Sequence, residues 1–133
     1  MSKPTLCAVL FLLCLVSINA KPIVGMATWY SVASAKSEGT SGTLTASGAP
    51  YNESALTCAL PKATAKAWNI RYGASVRITN IKNGRMVRAI YTDRGPGRKS
   101  RSMRTIIDLT PAAFKALGGK LRDGKIKVTI ERF

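Results

Sequence analysis

Residues 75–92, SVRITNIKNGRMVRAIYT, constrain the fold more than any other part of this 133-residue chain. Apolar and polar residues alternate from Val76 to Thr79, which is the pattern of a strand with one buried face. Asn83-Gly84 follows, a dipeptide typical of the two positive-φ positions of a tight turn, and a second strand-like run extends from Met86 to Thr92. The sequence therefore predicts a β-hairpin.

Further strands are predicted near both ends of the remaining sequence. Residues 24–31, VGMATWYS, are rich in β-branched and aromatic types, and residues 126–131 alternate apolar and polar side chains. One short helix is predicted between them, with Thr110 as its N-cap, Pro111 at its first position and Gly118 as its stop. Several short strands with one short helix indicate a mainly β domain, a closed or nearly closed barrel.

Composition limits the chemistry that this domain can perform. The chain has 21 Lys plus Arg, 6 Asp plus Glu and no histidine, which gives a net charge of +15. The lack of histidine excludes Ser-His and Cys-His nucleophile pairs and most zinc sites, so neither a metal nor another cofactor is expected. Hydrolytic or lytic chemistry would therefore depend on carboxylates.

The N-terminus has the composition of an export signal. A lysine precedes the apolar run 6–16, and Ala20 offers a small residue for cleavage. Because the run is too short to span a bilayer comfortably, we expect residues 1–20 to be removed, leaving a periplasmic or extracellular domain over residues 21–133 without a stable membrane anchor. A retained anchor is the alternative. Cleavage would leave Cys58 as the single cysteine, expected to be a buried small residue rather than a nucleophile.

Residues 91–101, YTDRGPGRKSR, place one of the few carboxylates beside an arginine at the end of the second hairpin strand. The chain turns away there through Gly95 and Pro96, and loops at strand ends are where rigid scaffolds present functional side chains. Asp93 is therefore a candidate functional residue. Local sequence alone favours a structural role, in which Asp93 accepts backbone N–H bonds or pairs with Arg94.

Four separated blocks change this balance: GMATWYS, LTASGAPYNESALTCA, VRITNIKNGRMVRAIYTDRGPG and IIDLTPAAFKALGG. In their order and approximate spacing they resemble the rare lipoprotein A (RlpA)-like family, the double-psi β-barrel lytic transglycosylases of the bacterial envelope. The resemblance covers roughly residues 25–131. It implies a six-stranded double-psi β-barrel that cleaves peptidoglycan glycan strands and prefers strands without stem peptides. It also implies that Asp93, which matches the aspartate of the family's DRGP block, lies in the active groove.

The sequence departs from the family pattern at positions where acids and a histidine are common. Ala49, Asn52 and Leu60 occupy these positions, and Glu53 is a candidate replacement for a missing acid. One carboxylate can still suffice. The family that the chain resembles uses a hydroxyl of the sugar itself as the nucleophile, so a single residue can act first as acid and then as base. The alternative is a barrel that binds glycan without cleaving it, as expansins do on a similar barrel.

Asp93 is accordingly the expected catalytic acid and base. The side chains expected to contact glycan in the groove are those of Tyr51, Asn52, Arg94, Trp29 and Tyr30. Trp29 lies within a predicted strand and fits a core position equally well. Asp108 is expected to orient the start of the predicted helix, with lining of the groove as the alternative.

Residues 98–104 form a basic cluster, with four cations in seven positions. Such a cluster would suit nucleic-acid phosphates in a cytosolic protein, but export argues against a nucleic-acid partner. The alternative without a binding role is a solvated loop whose charges keep the protein soluble. We expect the cluster to attract anionic envelope polymers, either peptidoglycan carboxylates or phosphate-bearing wall polymers, in a protein that is monomeric.

Overall fold

Six β-strands close into a barrel in the computed structural model, which describes residues 21–37 and 44–133. The strands are β1 (Ile23–Trp29), β2 (Thr57–Leu60), β3 (Ser75–Asn80), β4 (Met86–Arg94), β5 (Thr105–Leu109) and β6 (Lys125–Arg132). Around the barrel the order is β1-β5-β2-β4-β3-β6. The pairs β1/β5 and β2/β4 are parallel, and the other neighbours are antiparallel. The mainly β, closed barrel predicted from the sequence is confirmed, whereas the predicted export segment lies outside the described residues.

The described residues also form four short α-helices: α1 (Val32–Ser37), α2 (Lys62–Trp68), α3 (Arg98–Ser102) and α4 (Pro111–Ala116). Helix α4 is the one predicted from the sequence. The Thr110 hydroxyl accepts a hydrogen bond from the backbone N–H of Ala113 at 3.3 Å, and Gly118 adopts a φ of +81° just after the helix. Within residues 21–37 and 44–133, no helix is long and apolar enough to cross a membrane.

The prediction of a single helix was wrong because the other three carry weak signals. Helix α2 buries only Ala65 and Trp68 and ends at Asn69, which takes the left-handed conformation that a glycine usually supplies. Helix α3 has the sequence RKSRS and buries none of its residues, so no apolar periodicity marks it. The buried indole of Trp68, which had no predicted role, belongs to the hydrophobic core.

The predicted hairpin is confirmed, but its turn is longer than Asn83-Gly84 implied. Strands β3 and β4 pair antiparallel, with Thr79 opposite Met86 as the last pair before the turn. Only Gly84 of the two turn residues has a positive φ, 72°. The Asn83 side chain instead donates a hydrogen bond to the carbonyl oxygen of Leu117 at 3.0 Å. The turn therefore also fastens the hairpin to the end of α4.

The barrel is filled by apolar side chains from all six strands and from α4. The largest fully buried ones are Phe114, Leu60, Ile78, Ile107, Leu109, Leu117 and Ile130. Cys58 is also fully buried and forms no disulfide, as predicted. Burial raises the pKa of its thiol, which leaves it a small apolar residue rather than a nucleophile.

Both parallel strand pairs contain a register shift. In β1/β5 it falls between Met26 and Ala27, and in β2/β4 it falls between Cys58 and Ala59. Such irregularities redirect the side chains that follow them and are frequent beside functional sites. The second shift places Asp93 of β4 opposite Ala59 of β2.

Gly25 directly precedes Met26, where the first shift begins, and provides a test of the packing of β1. A Cβ atom at Gly25 would lie 2.6 Å from Cγ2 of Ile106 and 2.9 Å from the backbone oxygen of Arg104. Gly25→Ala should therefore lower the free energy of unfolding by about 1–3 kcal/mol in urea denaturation. Gly97→Ala is the matched control, because Gly97 has an ordinary φ of −68° and no neighbour within 4 Å of such a Cβ. Equal loss of stability in both variants would contradict the prediction.

Candidate functional site

The candidate site contains two carboxylates, those of Asp93 and Asp108, on either side of Ala59. Ala59 of β2 is the backbone partner of Asp93 on β4 and also of Asp108 on β5. Because neighbouring strands are about 4.8 Å apart, the Cα atoms of the two acids are about 10 Å apart. The side chain of Asp108 approaches the chain that leaves β4, since a Cβ at Gly95 would lie 3.1 Å from its Oδ2 atom. Asp108 therefore lies close to the backbone that follows Asp93, and its lining of the groove stays a prediction.

The Asp93 carboxylate receives several hydrogen bonds. Its Oδ1 atom accepts from the backbone N–H groups of Ala46 and Arg94, each at 2.9 Å, and its Oδ2 atom accepts from the Tyr30 hydroxyl at 3.1 Å. Asp93 thus does accept backbone N–H bonds, as the structural interpretation predicted. It is only half-buried, so the carboxylate is also open to an external molecule.

Arg94 does not pair with Asp93. Its Nε atom donates instead to the Tyr72 hydroxyl at 2.9 Å, and within the described residues the ion pair is Arg77–Glu131, with an N–O distance of 3.4 Å. The predicted alternative of an Asp93–Arg94 pair is therefore wrong. The two neighbours project to different partners, one towards Tyr30 and the other towards Tyr72.

Tyr30 and Tyr51 form a stacked aromatic pair beside Asp93. Their ring centroids are 4.6 Å apart with an interplanar angle of 22°, and the Tyr51 hydroxyl donates to the Tyr30 carbonyl oxygen. Burial, reinforced by the Asp93 charge, raises the pKa of Tyr30 above its ordinary value. Burial and the Glu53 charge likewise raise the pKa of Tyr51. Both phenols therefore remain neutral hydrogen-bond donors in the physiological range.

Hydroxyl groups of β1 and of the residue directly after it donate hydrogen bonds to both acids. The Thr28 hydroxyl donates to the Asp108 carboxylate, and Tyr30, two residues further on, donates to Asp93. Trp29 lies between them and turns the other way, since successive strand residues point to opposite faces. It packs against the core, and its Nε1 atom donates to the carbonyl oxygen of Leu121 at 2.9 Å. The structure therefore does not bring Trp29 to the group around Asp93, in contrast to its prediction as a glycan contact.

Backbone N–H groups of the loop before β2 donate hydrogen bonds to Asp93 and to its neighbour Thr92. Ala46 donates to the carboxylate, and the neighbouring Ser47 N–H donates to the carbonyl oxygen of Thr92 at 3.0 Å. Ala49, at the position of a family acid, closes this loop by accepting the N–H of Thr45 at 2.9 Å. The missing acid would therefore belong to the same loop that contacts Asp93.

The remaining predicted residues have local structural roles. The Asn52 side chain is exposed and accepts the N–H of Ser54 at 2.9 Å, which shapes the turn after Tyr51. Glu53 accepts the N–H of Val32 at 2.9 Å and so holds the start of α1. Leu60 is fully buried in the core. Among the described residues, no group of three or more histidine, cysteine or acidic side chains could hold a metal ion.

The closed, mainly β barrel of six strands is consistent with a double-psi β-barrel. A family model described as "Lytic transglycolase" matches residues 23–130. The chain belongs to this RlpA-like family.

Two relatives support the assignment. The "Probable endolytic peptidoglycan transglycosylase RlpA" of Synechocystis sp. is 34% identical over 94 residues, which are 71% of this chain and 24% of the relative. The protein of the same description from Nostoc sp. is 34% identical over 107 residues, which are 80% of this chain and 24% of the relative. The chain thus spans about a quarter of the length of these relatives.

Solved structures share the fold over most of the chain. The Streptomyces papain inhibitor superposes with a TM-score of 0.61 and 26% identity, over 86% of this chain and 96% of the inhibitor. The expansin of Clavibacter michiganensis superposes with a TM-score of 0.58 and 22% identity, over 85% of this chain and 50% of the expansin. The expansin match is evidence of a common fold alone.

The two tyrosines predict how stability responds to alkaline pH. An unfolded chain loses phenol protons near pH 10, whereas the folded protein retains those of Tyr30 and Tyr51 because their pKa values are raised. The folded state then binds more protons, so stability falls as pH rises above about 10, by at most about 1.4 kcal/mol per pH unit for each tyrosine. Denaturant titrations at about pH 9 and pH 11 should show a smaller fall in Tyr30→Phe and in Tyr51→Phe than in wild type. An unchanged fall in both variants would contradict the prediction.

Proposed function

We propose that this protein acts on the glycan strands of peptidoglycan outside the cytoplasm, cleaving them by lytic transglycosylation with Asp93 as acid and base. Membership of the RlpA-like family supports the substrate class. The observation that carries the chemistry is the placement of Asp93 and Asp108 on either side of Ala59, with the hydroxyl of Tyr30 on one carboxylate and that of Thr28 on the other.

The hydrogen bonds of Asp93 distinguish its two oxygens. Within residues 21–37 and 44–133, Oδ1 accepts two backbone N–H groups, whereas Oδ2 accepts one donor, the Tyr30 hydroxyl. A carboxylate oxygen has two lone pairs, so Oδ2 keeps one position for a proton that it can exchange with substrate. We assign Oδ2 as the proton-transferring oxygen.

The reaction then needs no water. Protonated Asp93 gives its proton to the glycosidic oxygen as the bond from that oxygen to the anomeric carbon breaks. A hydroxyl of the same sugar attacks the anomeric carbon and passes its proton to the Asp93 carboxylate, which restores the acid and closes an anhydro ring. Asp108 supplies a second negative charge beside the positively charged, oxocarbenium-like sugar of the transition state.

The aromatic pair and the positive surface would bind the strand. Tyr30 and Tyr51 form one wall beside Asp93, and sugar rings pack readily on such flat faces. Asn52 and Arg94 are the remaining predicted groove residues, and both are exposed. The net charge of +15 favours approach to anionic envelope polymers.

Digestion of purified peptidoglycan tests the proposal. Strands with and without stem peptides are incubated with the protein, and the products are analysed by mass spectrometry. Anhydro ends support lytic transglycosylation, and hydrated ends indicate a hydrolase. If no fragment is released but the strands are retained, the expansin-like alternative of binding without cleavage replaces the enzyme.

Asp93→Asn separates catalysis from structure. The amide oxygen can still accept the N–H groups of Ala46 and Arg94, but the side chain no longer carries a transferable proton. Cleavage should fall at least about 100-fold, while glycan binding and the melting temperature change little. The control is Glu53→Gln, which keeps an oxygen for the N–H of Val32 and should retain activity. A lower melting temperature with unchanged activity per folded Asp93→Asn molecule would make Asp93 a structural cap only.

A second candidate function, inhibition of a papain-like protease, rests on one observation. The Streptomyces papain inhibitor matches this chain over 96% of the inhibitor's own length. Papain activity on a chromogenic peptide, measured with increasing amounts of the protein, decides this candidate. Inhibition at a molar ratio near one would support it, and full papain activity in excess protein would exclude it.

A further inference from the structure

One row of side chains crosses four strands on the outside of the barrel. Thr129 of β6 is the backbone partner of Val24 on β1 and of Thr79 on β3. Thr79 is in turn the partner of Met86, the first residue of β4. Directly opposite residues of antiparallel strands project from the same face of a sheet. The row points to solvent because the strand residues beside it point into the core, namely Ile78, Val87, Val128 and Ile130.

A second row lies directly beside the first. Lys127 of β6 is the partner of Met26 on β1, and the backbone N–H of Ile81, just after β3, donates to the carbonyl oxygen of Lys127 at 3.2 Å. Lys127 is two residues from Thr129, so its side chain projects from the same face. The exposed Lys127 therefore lies between two apolar side chains. A lysine in such surroundings lays its alkyl stem along apolar groups and extends its ammonium into a polar phase.

A third row lies on the other side of Thr129. Arg77 of β3 is the partner of Arg88 on β4 and of Glu131 on β6, with which it forms an ion pair at 3.4 Å. The guanidinium carbons of Arg77 and Arg88 lie 4.4 Å and 4.6 Å from the ring centroid of Phe133. This row thus also combines cations with an apolar side chain.

The three rows form one exposed surface, the basic apolar face. It contains four of the seven large apolar side chains that are exposed in residues 21–37 and 44–133: Val24 at 57%, Ile81 at 47%, Met86 at 56% and Phe133 at 51%. Exposed apolar side chains that cluster in this way, rather than lie singly, mark an interaction site.

The charges of the face decide between its occupants. A second copy of the chain would bring the same cations together, and the net charge of +15 on each copy opposes such a contact. The centre of a protein–protein interface is depleted of charged residues, whereas on this face cations alternate with apolar side chains. That alternation fits anionic lipid headgroups above acyl chains, which offer both kinds of contact within a few ångströms.

We propose that the basic apolar face binds the surface of a membrane that contains anionic lipid. The apolar side chains of the face enter the boundary between headgroups and acyl chains, while its lysine and two arginines contact lipid phosphates. The folded barrel itself makes this contact, and the contact is reversible, so it differs from an anchor formed by the apolar run 6–16. The inference goes beyond the proposed function and does not depend on it.

The position of the face in the chain fits a membrane contact. The apolar run 6–16 precedes Val24 by eight residues, so export brings this end of β1 next to a lipid surface. The face also lies away from the candidate site. Met86 begins β4, and Asp93 is seven residues further along, which is about 23 Å at the rise of an extended strand. A membrane bound at Met86 therefore leaves Asp93 accessible.

Quenching by brominated lipid tests which face meets the membrane. Met86→Trp places a tryptophan reporter on the basic apolar face, and Leu44→Trp places one on the loop that contacts Asp93, where Leu44 is 60% exposed. Protein expressed from the full chain is bound to vesicles of about 70% phosphatidylcholine, brominated on its acyl chains, and about 30% phosphatidylglycerol. Each signal is compared with that on unbrominated vesicles and with the parent, in which Trp29 and Trp68 give the background. Met86→Trp fluorescence should fall about twofold because the reporter enters the acyl boundary, and Leu44→Trp fluorescence should fall no more than that of the parent.

Sedimentation with unbrominated vesicles tests the role of charge. Lys127→Gln should lower partitioning onto the anionic vesicles about fivefold, the contribution of one lysine beside an anionic surface. The control is Lys62→Gln, which removes another exposed charge just after the Leu60–Arg94 pair at the other end of β4 and should leave partitioning near the parent value. Vesicles of phosphatidylcholine alone should bind the parent at least about fivefold more weakly.

Three outcomes would overturn the inference. They are equal quenching of the two reporters, an equal loss of partitioning in Lys127→Gln and Lys62→Gln, and no binding to anionic vesicles, which would leave an acidic protein as the occupant of the face. Because quenching is compared at equal bound fractions, it identifies the face that meets the lipid whether or not the run 6–16 has been removed. None of these outcomes bears on glycan cleavage, so the proposed function would stand or fall separately.

Discussion

The pairing of β2 with both β4 and β5 is the constraint on which the site depends. Ala59 is the backbone partner of Asp93 on one side and of Asp108 on the other, so hydrogen bonding between strands sets the separation of the two carboxylates. Ala59 contributes only a methyl group between them and is 2% exposed. The register shift at Cys58/Ala59 then determines which residue of β4 faces it.

This constraint also explains why the hydroxyl groups that bind the acids come from β1 and the residue directly after it. Parallel pairing with β5 places Thr28 beside Asp108, and the same strand continues to Tyr30, which reaches Asp93. Each carboxylate thus accepts a hydroxyl group from β1 or from the residue directly after it, and Asp93 also accepts the backbone N–H groups of Ala46 and Arg94. A rigid first layer of this kind favours catalysis because it needs little reorganisation when charge develops on the substrate.

Local patterns in the sequence predicted the elements that have strong periodicity or punctuation. The alternation in β3 and β6 and the Thr110, Pro111 and Gly118 sequence around α4 gave the hairpin, the last strand and one helix. The turn at Asn83 was misjudged because its side chain makes a long-range bond to Leu117, which no local pattern reveals. Helix α3 was missed because all its residues are polar.

Only part of the candidate site was predicted, because local sequence patterns do not reveal long-range contacts. Asp93 and Tyr30 were recognised from a strand end and from aromatic type, but the closeness of Asp108 depends on the order β4-β2-β5, which brings together residues that are 15 positions apart in sequence. Trp29 was assigned to the groove by its aromatic type. The alternation between Thr28 and Tyr30 would have placed it on the opposite face once either neighbour was known to contact an acid.

Four of the five acidic side chains in the described residues have a hydrogen-bond or ion-pair partner. Glu53 holds the N–H of Val32, Glu131 pairs with Arg77, and Asp93 and Asp108 bind hydroxyls of the β1 region. Few acids are left to neutralise the surface cations, so the net charge of +15 acts on any polyanion and is screened over about 8 Å at physiological ionic strength. Such a field can concentrate the protein on an anionic wall but cannot distinguish one carboxylate from another. Discrimination requires a cation with a fixed direction, which the Arg94 guanidinium gains from its hydrogen bond to the Tyr72 hydroxyl.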